Sequence, residues 1–111
     1  MRLALHSVLV AGAEADYRRE HARIPAELAA VFGRAGIHDW TIWRSGTDLF
    51  HLVECDDWDA AMQIVQADPA DARWQAHIGR FVASFRGPDG EEGDAPAEQV
   101  WSLTEQLSQD G

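Results

Sequence analysis

The stretch IHDWTIWRSGTDLFHLVEC, residues 37–55, predicts two strands joined by the short turn Ser-Gly-Thr at 45–47. Both runs are rich in β-branched and aromatic residues, which strands favour. Alternation places Trp40 and Ile42 on one face of the first strand and Trp43 on the other. Because tryptophans lie on both faces, we expect both faces of the sheet to be covered, one by helices and the other by a partner or a ligand.

The second strand of this hairpin alternates in the same way. Phe50 and Leu52 fall on one face, and His51 and Val53 fall on the other. The pair Asp56-Asp57 follows and is expected to cap the next element.

Upstream of the hairpin, the sequence predicts a strand over residues 2–11 and a helix from near Asp16 to Ala35. Asp16 is one possible N-cap of the helix, and Gly36 is well placed as the residue just past its end. Pro25 lies inside the helical pattern, where it removes a backbone donor. We therefore expect a kink or a break into two helical segments at this proline.

Downstream of the hairpin, the pattern is helical and then irregular. It predicts a short helix over residues 58–67, a second amphipathic segment over 70–85, a mobile loop over 86–97, a last strand over 98–104 and a frayed tail over 105–111.

The resulting order of elements is strand, helix, strand, strand, helix, strand. This βαββαβ order predicts an α+β, ferredoxin-like fold in which an antiparallel sheet carries helices on one face. At 111 residues, we expect one domain spanning 1–111. Open faces of small sheets commonly pair, so we also expect a homodimer that forms an α/β sandwich or barrel.

Composition excludes several classes of partner. The hydrophobic share of 46% lies in the range of globular proteins, and the formal charge of −10 disfavours nucleic acid and anionic membrane surfaces as partners. No apolar stretch reaches the roughly 18 residues of a membrane span. The single cysteine, Cys55, cannot form an internal disulfide, and we expect a cytoplasmic protein.

Tyr17 and His21 stand four residues apart on an otherwise apolar helical stripe. Imidazole can give and take protons near neutrality, because its ordinary pKa is about 6.5. From spacing alone, however, a histidine on such a stripe is more often a hydrogen-bonded core or interface residue. We find no dinucleotide fingerprint, phosphate loop, nucleophile elbow or paired-cysteine metal pattern, and we expect no metal site.

Residues 17–28 (YRREHARIPAEL) and 35–43 (AGIHDWTIW) carry a family resemblance. They are similar to the patterns Y-x-x-x-H-x-x-I-W-P-E-L and A-G-I-x-x-Y-x-I-F of the L-rhamnose mutarotase family. Further matches are Asp48-Leu49-Phe50, Arg73-Trp74 and Gln99-Val100-Trp101-Ser102-Leu103, so the resemblance covers nearly the whole chain. The chain departs from the family pattern at Pro25-Ala26, where Trp-Pro is usual, and at Gln75, where a second tryptophan is usual.

The resemblance implies a dimeric ferredoxin-like enzyme that interconverts the anomers of a deoxy sugar without a cofactor. It implies that His21 is the proton donor or acceptor. We expect Tyr17 to bind the substrate, Trp40 and Trp74 to form a wall on which the flat sugar face stacks, and Trp43 and Asp39 to be further contacts.

The sugar stays open between L-rhamnose, L-fucose and similar deoxy-hexoses. Another class of function also stays open, because small ferredoxin-like dimers also serve as ligand-binding proteins or cofactor-free oxygenases.

Overall fold

The computed structural model describes residues 1–110. Its four strands are β1 (Arg2–Leu9), β2 (Ile37–Ser45), β3 (Asp48–Cys55) and β4 (Val82–Arg86), and its helices are α1 (Glu14–Glu20), α2 (Ala26–Arg34), α3 (Trp58–Gln66), α4 (Pro69–Ile78) and α5 (Leu103–Asp110). None of these helices is both long and apolar enough to cross a membrane.

The four strands form one antiparallel sheet in the order β2-β3-β1-β4. The first strand therefore pairs with both later strands, which confirms the predicted ferredoxin-like α+β fold with helices on one face. The predicted hairpin is also confirmed, and Gly46 adopts a φ of 60° at its turn.

The two faces of the sheet differ in what covers them. On one face, Leu5, Leu49 and Val53 are buried against the helices. On the other, which we call the open face, Trp43 is 54% exposed and pairs across the strands with Phe50, which is 46% exposed. The period-two alternation thus assigns these side chains to the correct faces.

The predicted long helix is broken into two segments: α1 ends at Glu20, and α2 begins at Ala26, directly after Pro25, whose missing N–H cannot donate to the His21 carbonyl. Pro25 is the N-cap of α2, and its carbonyl accepts from the Leu28 and Ala29 N–H groups at 3.0 and 3.1 Å. Gly36, with a φ of 79°, follows the end of α2 as predicted. The proposed cap at Asp16 is wrong, because α1 already begins at Glu14.

The fourth strand is not where the sequence suggested. The segment 70–85 is not one amphipathic element: α4 ends at Ile78, a 3-10 turn follows over Gly79–Phe81, and β4 then pairs with β1. The predicted strand over 98–104 is wrong, because those residues form no strand and α5 begins at Leu103.

The segment after β4 is largely irregular up to α5, apart from an isolated bridge between Arg86 and Glu92. We expected a mobile loop over 86–97 and a frayed tail over 105–111. Residues 105–110 are helical here, and Gly111 lies outside the described residues.

Asp57 caps α3, as one of the two predicted aspartates. Its carboxylate accepts from the Ala60 N–H at 3.0 Å. We expect Asp57→Ala to lower the free energy of unfolding by about 1 kcal/mol, because one N–H of the first turn loses its acceptor. Urea denaturation measures this loss. Asp57→Asn keeps an acceptor oxygen and should stay close to wild type; an equal loss in both variants would contradict the capping role.

Candidate active site

A cleft of about 1650 Å³ lies between the helix-covered face of the sheet and the helices above it. The lining residues that could act chemically or bind a polar ligand are Ser7, Tyr17, His21, Trp40, His51 and Trp74. They come from strands β1 to β3, from α1 and its C-cap, and from α4. The cleft therefore collects polar groups from distant parts of the chain into a largely apolar space, as small-molecule sites do.

His21 stands at the end of α1, where the chain leaves the helix. The backbone N–H of His21 closes the last turn of α1 by donating to the Tyr17 carbonyl at 2.8 Å. The break before Pro25 thus places the imidazole at a helix end instead of within a continuous helix. Its ring centroid lies 5.3 Å from that of Tyr17 and 5.2 Å from that of Trp74, which it meets edge-on. The structure thus brings three of the predicted site residues together.

Burial determines the protonation states of His21 and Tyr17. It lowers the pKa of His21 below its usual 6.5, and a backbone hydrogen bond offsets only part of this effect. His21 is therefore mainly neutral at pH 7, with one basic nitrogen and one N–H. Burial raises the pKa of Tyr17 to about 12, so its phenol keeps its proton and can donate a hydrogen bond.

The aromatic walls of the cleft come from two parts of the core. Trp74, only 8% exposed, projects from α4 and packs with Tyr17 in one apolar cluster. Trp40 projects from β2 and stacks on Phe32 with ring centroids 5.7 Å apart. Both tryptophans line the cleft, as the sequence predicted.

The other two predicted contacts lie elsewhere. Trp43 is on the open face, beyond the sheet from the cleft, because it follows Trp40 by an odd number of residues on the same strand. Asp39 borders the cleft, but it lies on the same side of β2 as Thr41 and Trp43, and its exposed carboxylate accepts from the Thr41 hydroxyl at 3.3 Å.

Sequence reasoning missed His51. This residue is buried at 5% exposure on the central strand β3 and lines the cleft. Its Nδ1 accepts from the Trp40 indole N–H at 3.0 Å, and its Nε2 lies 2.9 Å from the Ser7 hydroxyl. Burial and the nearby His21 and His6 lower the pKa of His51 to about 4. The available signal was alternation along the strand, which puts His51 on the face that Phe50 does not share. A histidine at a core-facing position needs hydrogen-bond partners for its ring nitrogens.

Among residues 1–110, no group of three or more His, Cys, Asp or Glu side chains is placed to hold a metal ion. The chemistry that these residues offer is acid/base catalysis by an imidazole, beside a phenol and two indoles.

Known proteins give this cleft a context. The sequence model of the family described as L-rhamnose mutarotase matches residues 2–103. An L-rhamnose mutarotase of Opitutus terrae is 35% identical over 95 residues, which cover 84% of this chain and 88% of the relative. A second, from Burkholderia orbicola, is 33% identical over 104 residues, covering 92% and 93% of the two chains.

A solved structure has a similar fold. The crystal structure of an L-rhamnose mutarotase from Formosa agariphila is similar with a TM-score of 0.73 at 18% identity, covering 93% of this chain and 98% of that one. At this identity the likeness shows the fold alone. The family match and the curated relatives show more: the chain belongs to the L-rhamnose mutarotase family, whose members interconvert the anomers of rhamnose.

Proposed function

We propose that this chain interconverts the α and β anomers of L-rhamnose in the cleft, with His21 as the acid/base catalyst. The observation that carries this proposal is the grouping of a half-buried imidazole with Tyr17 and Trp74 at 5.3 and 5.2 Å, in a member of a mutarotase family. A group that is neutral at pH 7 and can exchange a proton is what anomer exchange needs.

The reaction moves one proton between two oxygens. When the anomeric hydroxyl loses its proton, the C1–O5 bond breaks and C1 becomes an aldehyde carbon, while O5 must gain a proton. After rotation about C1–C2, ring closure on the other face reverses both transfers. Neutral His21 takes the anomeric proton on its basic nitrogen, and the resulting imidazolium supplies the proton that O5 needs.

The neighbouring groups bind and orient the sugar. The Tyr17 phenol, which stays protonated, donates a hydrogen bond to a sugar oxygen. Trp40 and Trp74 offer flat apolar surfaces for the apolar face of the pyranose. We leave Trp43 and Asp39 out of the sugar site, because alternation along β2 places both side chains on the open face.

The pH dependence tests the role of His21. Because its pKa is lowered, we expect kcat/KM for L-rhamnose to fall on acidification with a midpoint below pH 6.5, as the basic nitrogen becomes protonated. Above that midpoint the profile should stay flat through pH 9, since the Tyr17 pKa is about 12. NMR saturation transfer between the two anomers measures the exchange, with spontaneous exchange subtracted at each pH. A midpoint above 6.5 would contradict this assignment.

The same experiment tests the reaction and its sugar. Wild-type protein should accelerate the exchange of L-rhamnose, and L-fucose is the comparison substrate because it is another 6-deoxy sugar. If the protein does not accelerate the anomer exchange of any common aldose, the proposed function fails and a ligand-binding role becomes the better interpretation.

We further propose that the chain is one mutarotase-like domain that works as a cytoplasmic homodimer. The support for the dimer is the open face, where Trp43 and Phe50 leave large apolar surfaces in water. His6 stacks on Phe50 with ring centroids 5.2 Å apart, and its Nε2 lies 2.9 Å from Asp48, so the apolar patch has a polar margin. The buried, unpaired Cys55 is compatible with a reducing compartment.

A further inference from the structure

His51 occupies an unusual place for a histidine. It lies on the central strand β3, with Leu5 and Ile42 as its cross-strand neighbours, and only 5% of it is exposed. A buried polar ring is costly unless its nitrogens are hydrogen-bonded. Both are bonded here, Nδ1 to the Trp40 indole at 3.0 Å and Nε2 to the Ser7 hydroxyl at 2.9 Å.

The partners fix the direction of these hydrogen bonds. An indole N–H can only donate, so Nδ1 of His51 must accept. The neutral ring then carries its proton on Nε2, which donates to the Ser7 oxygen. A second proton on Nδ1 would point at the Trp40 N–H, so the geometry disfavours the imidazolium form.

His51 is therefore unsuited to proton exchange with a substrate, even though it lines the cleft. Both nitrogens are committed to protein groups, and burial with the nearby His21 and His6 lowers its pKa to about 4. Its remaining effect on the cleft is through Trp40.

The Trp40 side chain needs more than apolar packing to hold one orientation. Its ring stacks on Phe32 and lies 5.7 Å from the Trp58 ring, and such contacts between flat rings tolerate sliding and rotation. The hydrogen bond to His51 is directional and ties the indole edge to the central strand.

We propose that His51 is a positioning residue for sugar binding, which holds the Trp40 indole as a wall of the cleft by accepting its N–H. The inference rests on the proposed function insofar as the sugar stacks on Trp40. A wall that binds ground state and transition state alike affects KM, whereas a proton-exchanging group affects kcat.

Kinetics of His51 variants test this role. His51→Leu removes both hydrogen bonds, and we expect KM for L-rhamnose to rise about five- to tenfold with kcat within twofold of wild type. His51→Asn places a carbonyl oxygen near the position of Nδ1 and should recover most of the lost affinity. A fall in kcat at unchanged KM, or loss of the acidic limb of the pH profile, would overturn the proposal.

A double-mutant cycle shows whether the effect passes through Trp40. Trp40→Phe keeps an aromatic ring but has no N–H to donate. In that background, His51→Leu should change KM by less than twofold. If it has the same effect as in the wild-type background, His51 acts independently of Trp40 and the proposal is wrong.

NMR of the sugar-free wild-type protein tests the hydrogen bond separately from catalysis. Long-range ¹H–¹⁵N spectra at pH 7 should show His51 neutral with its proton on Nε2, and the Trp40 indole N–H should exchange slowly with water. In His51→Asn that N–H should stay protected, with the exposed Trp43 indole as the internal control.

The Nδ1-protonated form of His51, or rapid exchange of the Trp40 N–H in wild type, would overturn the positioning role even if mutarotation is confirmed. If the Trp40 indole N–H is protected but the protein does not accelerate the interconversion of sugar anomers, the proposed function fails while the hydrogen bond between Trp40 and His51 stands.

Discussion

Replacing His21 with alanine is expected to lower kcat for L-rhamnose anomer exchange by about 10² to 10⁴-fold, the usual contribution of a general acid/base group. KM should change little, because the walls formed by Trp40 and Trp74 stay in place. The reason is geometric: His21 is the imidazole that contacts both the Tyr17 phenol and the Trp74 indole of the cleft, and burial lowers its pKa. Saturation transfer between the anomer signals measures the loss.

Two further variants make this result specific. His21→Gln retains polar character but cannot exchange a proton near neutral pH, so it should be as slow as His21→Ala. His77→Ala removes another imidazole near Trp74, but His77 pairs with Glu20 at 3.2 Å and lines a separate pocket. His77→Ala should keep most of the activity. Full activity in a folded His21→Ala would remove His21 from the catalytic role.

The fold was predictable where one pattern dominates a segment. Strong alternation was enough to assign the side chains from Trp40 to Val53 to their faces; it fails at Ile37, which is buried because the register shifts between Ile37 and Asp39. Pro25 and Gly36 act through local backbone geometry, so their effects on the helix did not depend on the rest of the fold.

The last part of the chain was mispredicted because its patterns are ambiguous. Phe81 and Phe85 continue the spacing of Trp74 and Ile78, and a strand as short as Val82–Arg86 cannot be distinguished from a helical turn by periodicity. Pairing with β1 decides its conformation. At the C-terminus, the strand propensity of Val100 and Trp101 suggested a strand.

A local pattern near the C-terminus predicts the helix instead. Ser102-Leu103-Thr104-Glu105 has the form of a capping box, and the Ser102 hydroxyl accepts from the Glu105 N–H at 3.4 Å. Local capping here outweighs residue propensity, which is a weak guide without a neighbouring strand.

The candidate site was predictable where its residues are close in sequence. Tyr17 and His21 are adjacent on one helical face, so their proximity follows from helix geometry alone. The network of Ser7, Trp40 and His51 joins three strands, and only the register of the sheet brings them together. Such a cluster cannot be derived from spacing along the chain.

Replacing Phe50 with glutamate is expected to convert the proposed homodimer into monomers. Phe50 and Trp43 form the apolar centre of the open face, where 46% and 54% of these residues are exposed in the isolated chain. In a two-fold interface each introduced carboxylate occurs twice, and burying it without a partner costs several kcal/mol. The dissociation constant should therefore rise at least about a thousandfold. Sedimentation equilibrium over a range of concentrations measures this change.

Ile64→Glu is the matched control for this prediction. Ile64 lies on α3, in the helix layer on the other side of the sheet, and its exposure of 45% is close to that of Phe50. It adds the same charge to a chain that already carries −10, so general charge repulsion affects both variants equally. Only Phe50→Glu should produce monomers, and because the cleft lies on the helix-covered face, those monomers should still bind the sugar. A wild-type chain that is monomeric at micromolar concentration, or a Phe50→Glu variant that stays dimeric, would show that the open face is not the interface.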